Sequence, residues 1–159
     1  MSNVLPGTAW STAAWIFVVV VYGALSTIWV GHEPGWYAAL DKPSFQPPDA
    51  VFGVMWPLNF LALFVVGVWF TRSVESATTW RATGVLAVSV VAALAWAWLF
   101  YVPHQLTAAT VCLAVAAALT WVLVVLVFRS LPAAGIVLAP YAIWLSVATA
   151  LSVGYVRLN

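Results

Sequence analysis

Long apolar runs separated by short polar breaks are the main feature of the sequence. Asp, Glu, Lys and Arg are absent from four stretches: residues 1–31, 50–71, 82–128 and 133–156. The third stretch is long enough for two helices and is interrupted by Pro103, His104 and Gln105. About 20 apolar residues are enough for a helix to cross the ~30 Å hydrocarbon core of a bilayer. The pattern therefore predicts five transmembrane helices, near residues 8–30, 50–71, 81–101, 106–128 and 134–156.

The composition indicates that lipid, rather than water, surrounds these helices. Hydrophobic residues make up 65% of the 159-residue chain and charged residues only 6%, against about 25% charged residues in a typical soluble domain. So few charges cannot cover a water-facing surface, and we expect an all-α integral membrane protein whose partner is the lipid bilayer. The polar–apolar alternation of a membrane β-barrel is absent. The net charge of +1 gives no electrostatic reason to expect nucleic acid as a partner.

The first apolar run is interpreted as a membrane span and not as a signal peptide. It has no basic n-region and is longer than a typical signal-peptide core. The lack of an Arg-rich presequence favours a bacterial membrane over an organelle membrane.

The interiors of the predicted spans carry no charge, whereas a proton relay or an ion-coupled transporter normally needs one there. Cys112 is the only cysteine, which excludes an intrachain disulfide and a paired-cysteine metal site. His32 and His104 lie at helix ends, far apart in the sequence. A two-histidine metal site is the alternative, but we interpret both as solvated interfacial residues and predict no metal.

Tryptophan is unusually common, with 11 residues. Those near predicted helix ends, where aromatic belts form at the membrane interface, are Trp10, Trp36, Trp69 and Trp80. Those deeper in the predicted spans are Trp56, Trp96, Trp98, Trp121 and Trp144. A deep tryptophan most often serves packing, but several on different helices could line a flat apolar pocket for a planar aromatic ligand or a sterol.

Small residues recur at every fourth position on three predicted spans, a spacing that marks close helix contacts in lipid. The stripes are Ser89, Ala93 and Ala97; Ala108, Cys112 and Ala116; and Ala142, Ser146, Ala150 and Gly154. A stripe beyond those needed inside the bundle predicts a homodimer.

The polar connection at residues 31–49 contains the stretch KPSFQPP, residues 42–48. Proline fixes φ and removes a donor, so this stretch is predicted to be stiff without regular structure. A stiff aromatic loop can cap the end of a helix bundle with little entropic cost of ordering.

Three segments carry a resemblance to a known family. Residues 36–48, WYAALDKPSFQPP, fill every fixed position of the pattern W-Y-x-x-L-x-K-P-x-[WF]-x-P-P. Residues 140–149, PYAIWLSVAT, fit P-Y-x-x-W-x-x-x-A-T, and Trp56 follows shortly after the loop. These are motifs of the TspO/translocator protein family, the tryptophan-rich sensory or peripheral benzodiazepine receptor-like proteins. The chain resembles that family over nearly its whole length.

The resemblance implies one membrane domain over residues 1–159, a five-transmembrane-helix bundle with a Pro-rich loop capping one end. In the family the pocket under this loop binds porphyrins, haem-related tetrapyrroles, sterols and synthetic aromatic compounds. A tetrapyrrole is thus expected as a ligand, with no cofactor required. Matching positions place eight residues in the pocket: Trp36, Tyr37, Pro47, Trp56, Phe60, Trp96, Trp144 and Ala148.

Four positions depart from the family pattern. Asparagines are usual on the inner face of the third span, where this chain has Ser89 and Ala93. Asn59 replaces an aromatic residue in the second span, and Ser152 replaces an asparagine in the fifth. The polar groups of the pocket are therefore expected to differ from those of other members.

Three functions follow from the resemblance and the sequence. We expect a sensor, carrier or scavenger that binds porphyrin, haem or a sterol-like ligand. The first alternative is an enzyme for light- and oxygen-dependent porphyrin breakdown, with Trp56 and Trp144 as redox side chains. The second is a regulatory partner of another membrane protein. The segment Leu151-x-x-x-Tyr155-x-Arg157 fits the loose cholesterol pattern, or is an interfacial Tyr–Arg pair that anchors the helix end.

Overall fold

The computed structural model describes residues 6–30 and 32–159, and within them it is built only from helices and connections. The helices are α1 (Pro6–Trp29), α2 (Pro34–Ala39), α3 (Asp49–Ser73), α4 (Ser76–Tyr101), α5 (Leu106–Ser130) and α6 (Pro132–Leu158). All except α2 are long and apolar enough to cross a membrane. The predicted all-α class with five spanning helices and a proline-rich connection is confirmed.

The observed helices run past the charges that were used to mark their ends. Helix α4 begins at Ser76, five residues before the predicted start at Arg81, and α3 continues beyond Arg72 to Ser73. Long cationic side chains can extend from a helix end to the membrane surface, so an arginine need not end a span. Proline is favoured in the first helical turn, and Pro132 and Pro34 occupy such positions in α6 and α2.

The five long helices close into a ring. Helix α1 packs against α3, α3 against α6, α6 against α5, α5 against α4, and α4 against α1. Side-chain hydroxyls bridge several of these pairs, because a polar group in hydrocarbon needs a protein partner. Ser89 on α4 contacts the hydroxyl of Thr120 on α5 at 2.9 Å. Thr110 on α5 contacts the hydroxyl of Ser152 on α6 at 2.7 Å.

The small-residue stripe of α4 is used inside the bundle. Ser89, Ala93 and Ala97 are all buried. The Oγ of Ser89 also donates to the carbonyl of Ala116 on α5 at 3.1 Å, which requires close approach of the two backbones.

Trp15 fixes the contact between α1 and α3. Its side chain is fully buried, and its Nε1–H donates to the carbonyl of Leu63 at 2.9 Å. Gly67 lies one turn further along α3, where an added Cβ would be 2.1 Å from Cδ1 of Trp15. A hydroxyl contact of 2.7 Å between Thr12 and Thr71 continues the same interface. Only glycine at this position lets the indole ring lie against the α3 backbone.

Gly67→Ala is therefore expected to destabilise the protein, because the added methyl group overlaps the Trp15 ring. Overpacking of this kind typically costs ~1–3 kcal/mol. Thermal unfolding in detergent measures the effect. Gly84→Ala is the matched control, since Gly84 is exposed within α4 and has nothing within 4 Å of an added Cβ. Equal melting temperatures for the two variants would contradict the assigned Trp15 contact.

Candidate functional site

A cavity of about 750 Å³ lies inside the helix ring, at the end covered by the connection between α1 and α3. Its walls come from α1, α3, α4, α6 and that connection, whereas α5 contributes no residue. Ligand sites of small molecules commonly have volumes of ~300–1,000 Å³. The cavity is therefore large enough for a sizeable organic ligand.

Aromatic rings form much of the cavity wall. Phe60 contacts Tyr22 of α1 edge to face, with ring centroids 5.1 Å apart. Trp56 lies beside Phe60 at 6.2 Å. On α4, the rings of Trp96 and Phe100 lie 5.8 Å apart. All of these residues line the cavity, and they give it flat, apolar surfaces.

A proline within α3 interrupts the helical hydrogen bonding beside the cavity. Pro57 lines the cavity inside the helix and, one turn earlier, so does Gly53. Proline has no N–H to donate to the carbonyl four residues before it, which here belongs to Gly53. The α3 backbone therefore presents an acceptor without its usual helical donor beside the cavity.

Helix α2 attaches the connection to the end of α4 and to the segment between α4 and α5. The ring of Trp36 stacks on His104 with centroids 3.8 Å apart and planes at 13°. Trp36 also contacts Phe100 edge to face at 5.5 Å. The Glu33 carboxylate lies 3.6 Å from Nε2 of His104, which has a left-handed backbone with φ of 56°. These contacts hold α2 over the bundle end.

Hydroxyl contacts join the connection to α6 above the cavity. The hydroxyl oxygens of Tyr37 and Tyr155 lie 3.0 Å apart. The Tyr155 hydroxyl also donates to Oε1 of Gln46. All three side chains line the cavity, so this polar cluster forms its end wall.

The C-terminal end of α6 holds the connection from outside the cavity. Oδ1 of Asn159 accepts the Asp41 N–H at 3.0 Å, and Nδ2 donates to the Asp41 carbonyl at 3.1 Å. Pro43 is buried against Gly154, where an added Cβ would lie 2.6 Å from the proline Cγ. We call residues 32–48 the lid, since they close this end of the bundle.

The exposed part of the cavity lining lies on two elements. Thr27 is exposed near the end of α1 and is followed by exposed Val30, while Asp49, Gly53 and Pro57 are exposed on α3. The lid contacts described above are instead with α4, the connection between α4 and α5, and the C-terminal end of α6. The cavity therefore opens sideways between α1 and α3, near the lid end of the bundle.

The structure brings together five of the eight residues expected in the pocket. Those lining the cavity are Tyr37, Trp56, Phe60, Trp96 and Ala148. Trp36, Pro47 and Trp144 do not line it. Trp36 stacks in the lid, and Trp144 packs behind Trp56 with ring centroids 6.5 Å apart. Whether each residue touches a ligand stays a prediction.

The other deep tryptophans face outward, since Trp98 is 46% exposed and Trp121 is 41% exposed. Trp98 and Trp96 lie on one helix only two positions apart, on different faces. Sequence depth alone does not distinguish these directions.

Several lining residues were not identified from the sequence. These are Tyr22, Gln46, Asp49, Phe100 and Tyr101. Leu151 and Tyr155 are buried and line the cavity, whereas Arg157 is exposed. The four-residue spacing of Trp96 and Phe100 is a sequence signal that predicts a shared helix face.

The four positions that depart from the family pattern occupy different environments. Ala93 and Ser152 line the cavity, while Ser89 is hydrogen-bonded at the α4–α5 interface. Asn59 is buried and its Nδ2 has no hydrogen-bond partner within the described chain. The Nε1 atom of Trp96 is likewise buried without a partner there.

No cluster of three or more His, Cys, Asp or Glu side chains that could hold a metal ion occurs among residues 6–30 and 32–159. His32 and His104 both lie near Glu33, at 4.0 and 3.6 Å. His104 serves as a stacking platform for Trp36.

Comparison with known proteins agrees with the sequence motifs. The family model described as TspO/MBR family matches residues 7–158. Protein CrtK of Rhodobacter capsulatus is 26% identical over 129 residues, which cover 80% of this chain and 81% of CrtK. The chain is therefore a multi-pass integral membrane protein that belongs to the TspO/MBR family.

Proposed function

We propose that the protein binds tetrapyrroles or sterol-like apolar ligands within the membrane and acts as a sensor, carrier or scavenger. The observation that supports this most is the lidded cavity of about 750 Å³ with aromatic walls. Planar or ring-fused ligands gain favourable contact with such walls. Family membership supports the same general role.

The position of the cavity supports uptake from the bilayer. Its exposed rim lies on α1 and α3, within a few turns of their lid-side ends. A helix rises 1.5 Å per residue, so the rim from Asp49 to Pro57 spans roughly 12 Å of the lid-side leaflet. A ligand dissolved in lipid would reach the rim without crossing water.

Trp96→Ala is expected to weaken binding of protoporphyrin IX roughly tenfold, because an aromatic ring that lines the cavity is lost. Titration in the dark, followed through porphyrin absorbance and protein fluorescence, measures the affinity. Trp98→Ala is the matched control, since Trp98 lies two positions away and is exposed. Thermal unfolding of both variants checks that they fold.

Equal affinities of the two tryptophan variants would place porphyrin outside this cavity. Ala148→Phe gives a second test, because it fills the cavity without removing an aromatic contact. It should also weaken binding, whereas Ala150→Phe at the exposed position two residues later should not.

Asn159→Ala is expected to loosen the lid, because it removes both hydrogen bonds to the Asp41 backbone. Each such bond contributes about 0.5–1.5 kcal/mol, so opening should rise roughly tenfold. Chymotrypsin cleavage after Phe45, an exposed lid residue, measures opening without ligand. Asp41→Asn is the control, because it retains the backbone groups that Asn159 binds and lies away from the cleaved bond. Unchanged cleavage in Asn159→Ala would show that this contact does not hold the lid.

A second candidate function, light-dependent porphyrin breakdown, rests on the neighbouring indoles. Trp56 lines the cavity, and the ring of Trp144 lies behind it at 6.5 Å and 89°. A photoexcited ligand in contact with Trp56 would have one oxidisable side chain beside it and a second, Trp144, directly behind the first.

Illumination of the porphyrin complex in air is then expected to give products that free porphyrin does not form. Trp56→Phe should abolish those products, since phenylalanine is much harder to oxidise, while porphyrin remains bound. Product analysis by chromatography measures this. An identical product spectrum with and without protein would exclude the enzymatic function.

The homodimer also remains a proposal. The α4 stripe is buried within the bundle, so a dimer would need another surface. The α6 stripe is also largely used within the protein, since Ala142 is buried and Gly154 packs against Pro43 of the lid, so that only Ala150 of this stripe is exposed.

A further inference from the structure

The charge of the cavity wall is unusual for a site that would receive an acidic ligand. Asp49 is the only formally charged residue among the described residues that line the cavity. The other polar members of the wall are neutral hydroxyl and amide side chains. An anion that enters the cavity thus finds a carboxylate and no lining cation.

We propose that Asp49 makes the cavity selective for neutral or cationic ligands over dianionic ones. This inference rests on the proposed function and specifies its ligand class. Asp49 lies in the first turn of α3, directly after the two prolines that follow Gln46. It is exposed as well as cavity-lining, which places its carboxylate at the mouth.

Gln46, three positions before Asp49 in the chain, adds hydrogen-bond donors to the same cavity lining. Because Oε1 of Gln46 accepts the Tyr155 hydroxyl, its Nε2 amide group carries the remaining hydrogen-bond donors. An amide donor and a carboxylate acceptor therefore lie within four residues of each other on the cavity lining. This pair suits a ligand hydroxyl, which both donates and accepts, or a ligand amine, which donates to the carboxylate.

The cations on the lid side are outside the cavity wall. Lys42 does not line the cavity, and its Nζ lies 5.5 Å from the centre of the Tyr37 ring. Arg157 is exposed at the end of α6 and also does not line it. A carboxylate of a bound ligand would thus approach Asp49 without a lining cation to offset the repulsion.

Two porphyrins of the same ring system test the inference: protoporphyrin IX, with two carboxylates, and its neutral dimethyl ester. Both are titrated against the full chain in neutral lipid nanodiscs at low salt. Asp49→Asn should tighten protoporphyrin IX binding about fivefold or more. This is the effect expected when the repulsion between two carboxylates about 4 Å apart in water, about 1 kcal/mol, is removed. Affinity for the dimethyl ester should stay within about twofold. For each porphyrin, the affinity of the variant is divided by the affinity of the unaltered chain. The greater lipid solubility of the ester affects both affinities equally and therefore cancels from this ratio.

Asp41→Asn controls for surface charge, because Asp41 belongs to the lid but does not line the cavity. The fivefold gain should also shrink at high salt, where exposed charges are screened. An equal change for both porphyrins, or an equal gain from Asp41→Asn, would overturn the role of Asp49 and leave the proposed function intact. Failure of both porphyrins to bind the unaltered chain would overturn tetrapyrrole binding and, with it, this inference.

Discussion

The close contact of Trp15 with Gly67 holds α1 and α3 together, and the shape of the bundle depends on it. Lipid is as apolar as the helix surfaces, so helices in a bilayer associate through close packing and hydrogen bonds instead of hydrophobic burial. The indole ring uses both, since it lies against the glycine and donates to the Leu63 carbonyl. Because this interface lies away from the lid, the other ends of α1 and α3 can border a cavity. The same pair of helices therefore serves as an anchor at one end and as a rim at the other.

At the other end of the bundle the helices surround a cavity instead of packing together, and the lid closes that end. Its prolines limit the conformations that must be ordered, and its attachments are spread over three sites. These are the stack of Trp36 on His104, the hydroxyl cluster at Tyr155, and the hold of Asn159 on the Asp41 backbone. All three attach the lid to the side formed by α4, α5 and α6. Closing that side leaves the gap between α1 and α3 as the way in.

The sequence predicts the five long apolar helices and their order, because each span must bring enough apolar residues to cross the bilayer. It does not predict the six-residue helix α2 within the connection. Its motifs also predict the loop that caps the bundle. Positions matched to the family predict Trp56 and Trp96 as pocket residues, and both line the cavity. The direction of a side chain is harder to predict on helices that are apolar all round, since no polar face marks the outside. Trp96 and Trp98 show this, because only the structure separates the cavity residue from the lipid-facing one. Asn59 shows the same limit, since nothing in its neighbourhood in the sequence indicates that it is buried.

The aromatic wall and the polar end place different demands on a ligand. Flat apolar surfaces accept many ring systems, so under the proposed function Trp56, Phe60 and Trp96 would give affinity with little discrimination. Directional groups discriminate more strongly, because a buried polar atom left unpaired by the wrong ligand costs free energy. In this cavity those groups lie at the lid end, with Gln46 and Tyr155 hydrogen-bonded to each other and Asp49 at the mouth. A ligand would thus be chosen by the group that it carries at its lid-facing end, and the ring system behind that group can vary.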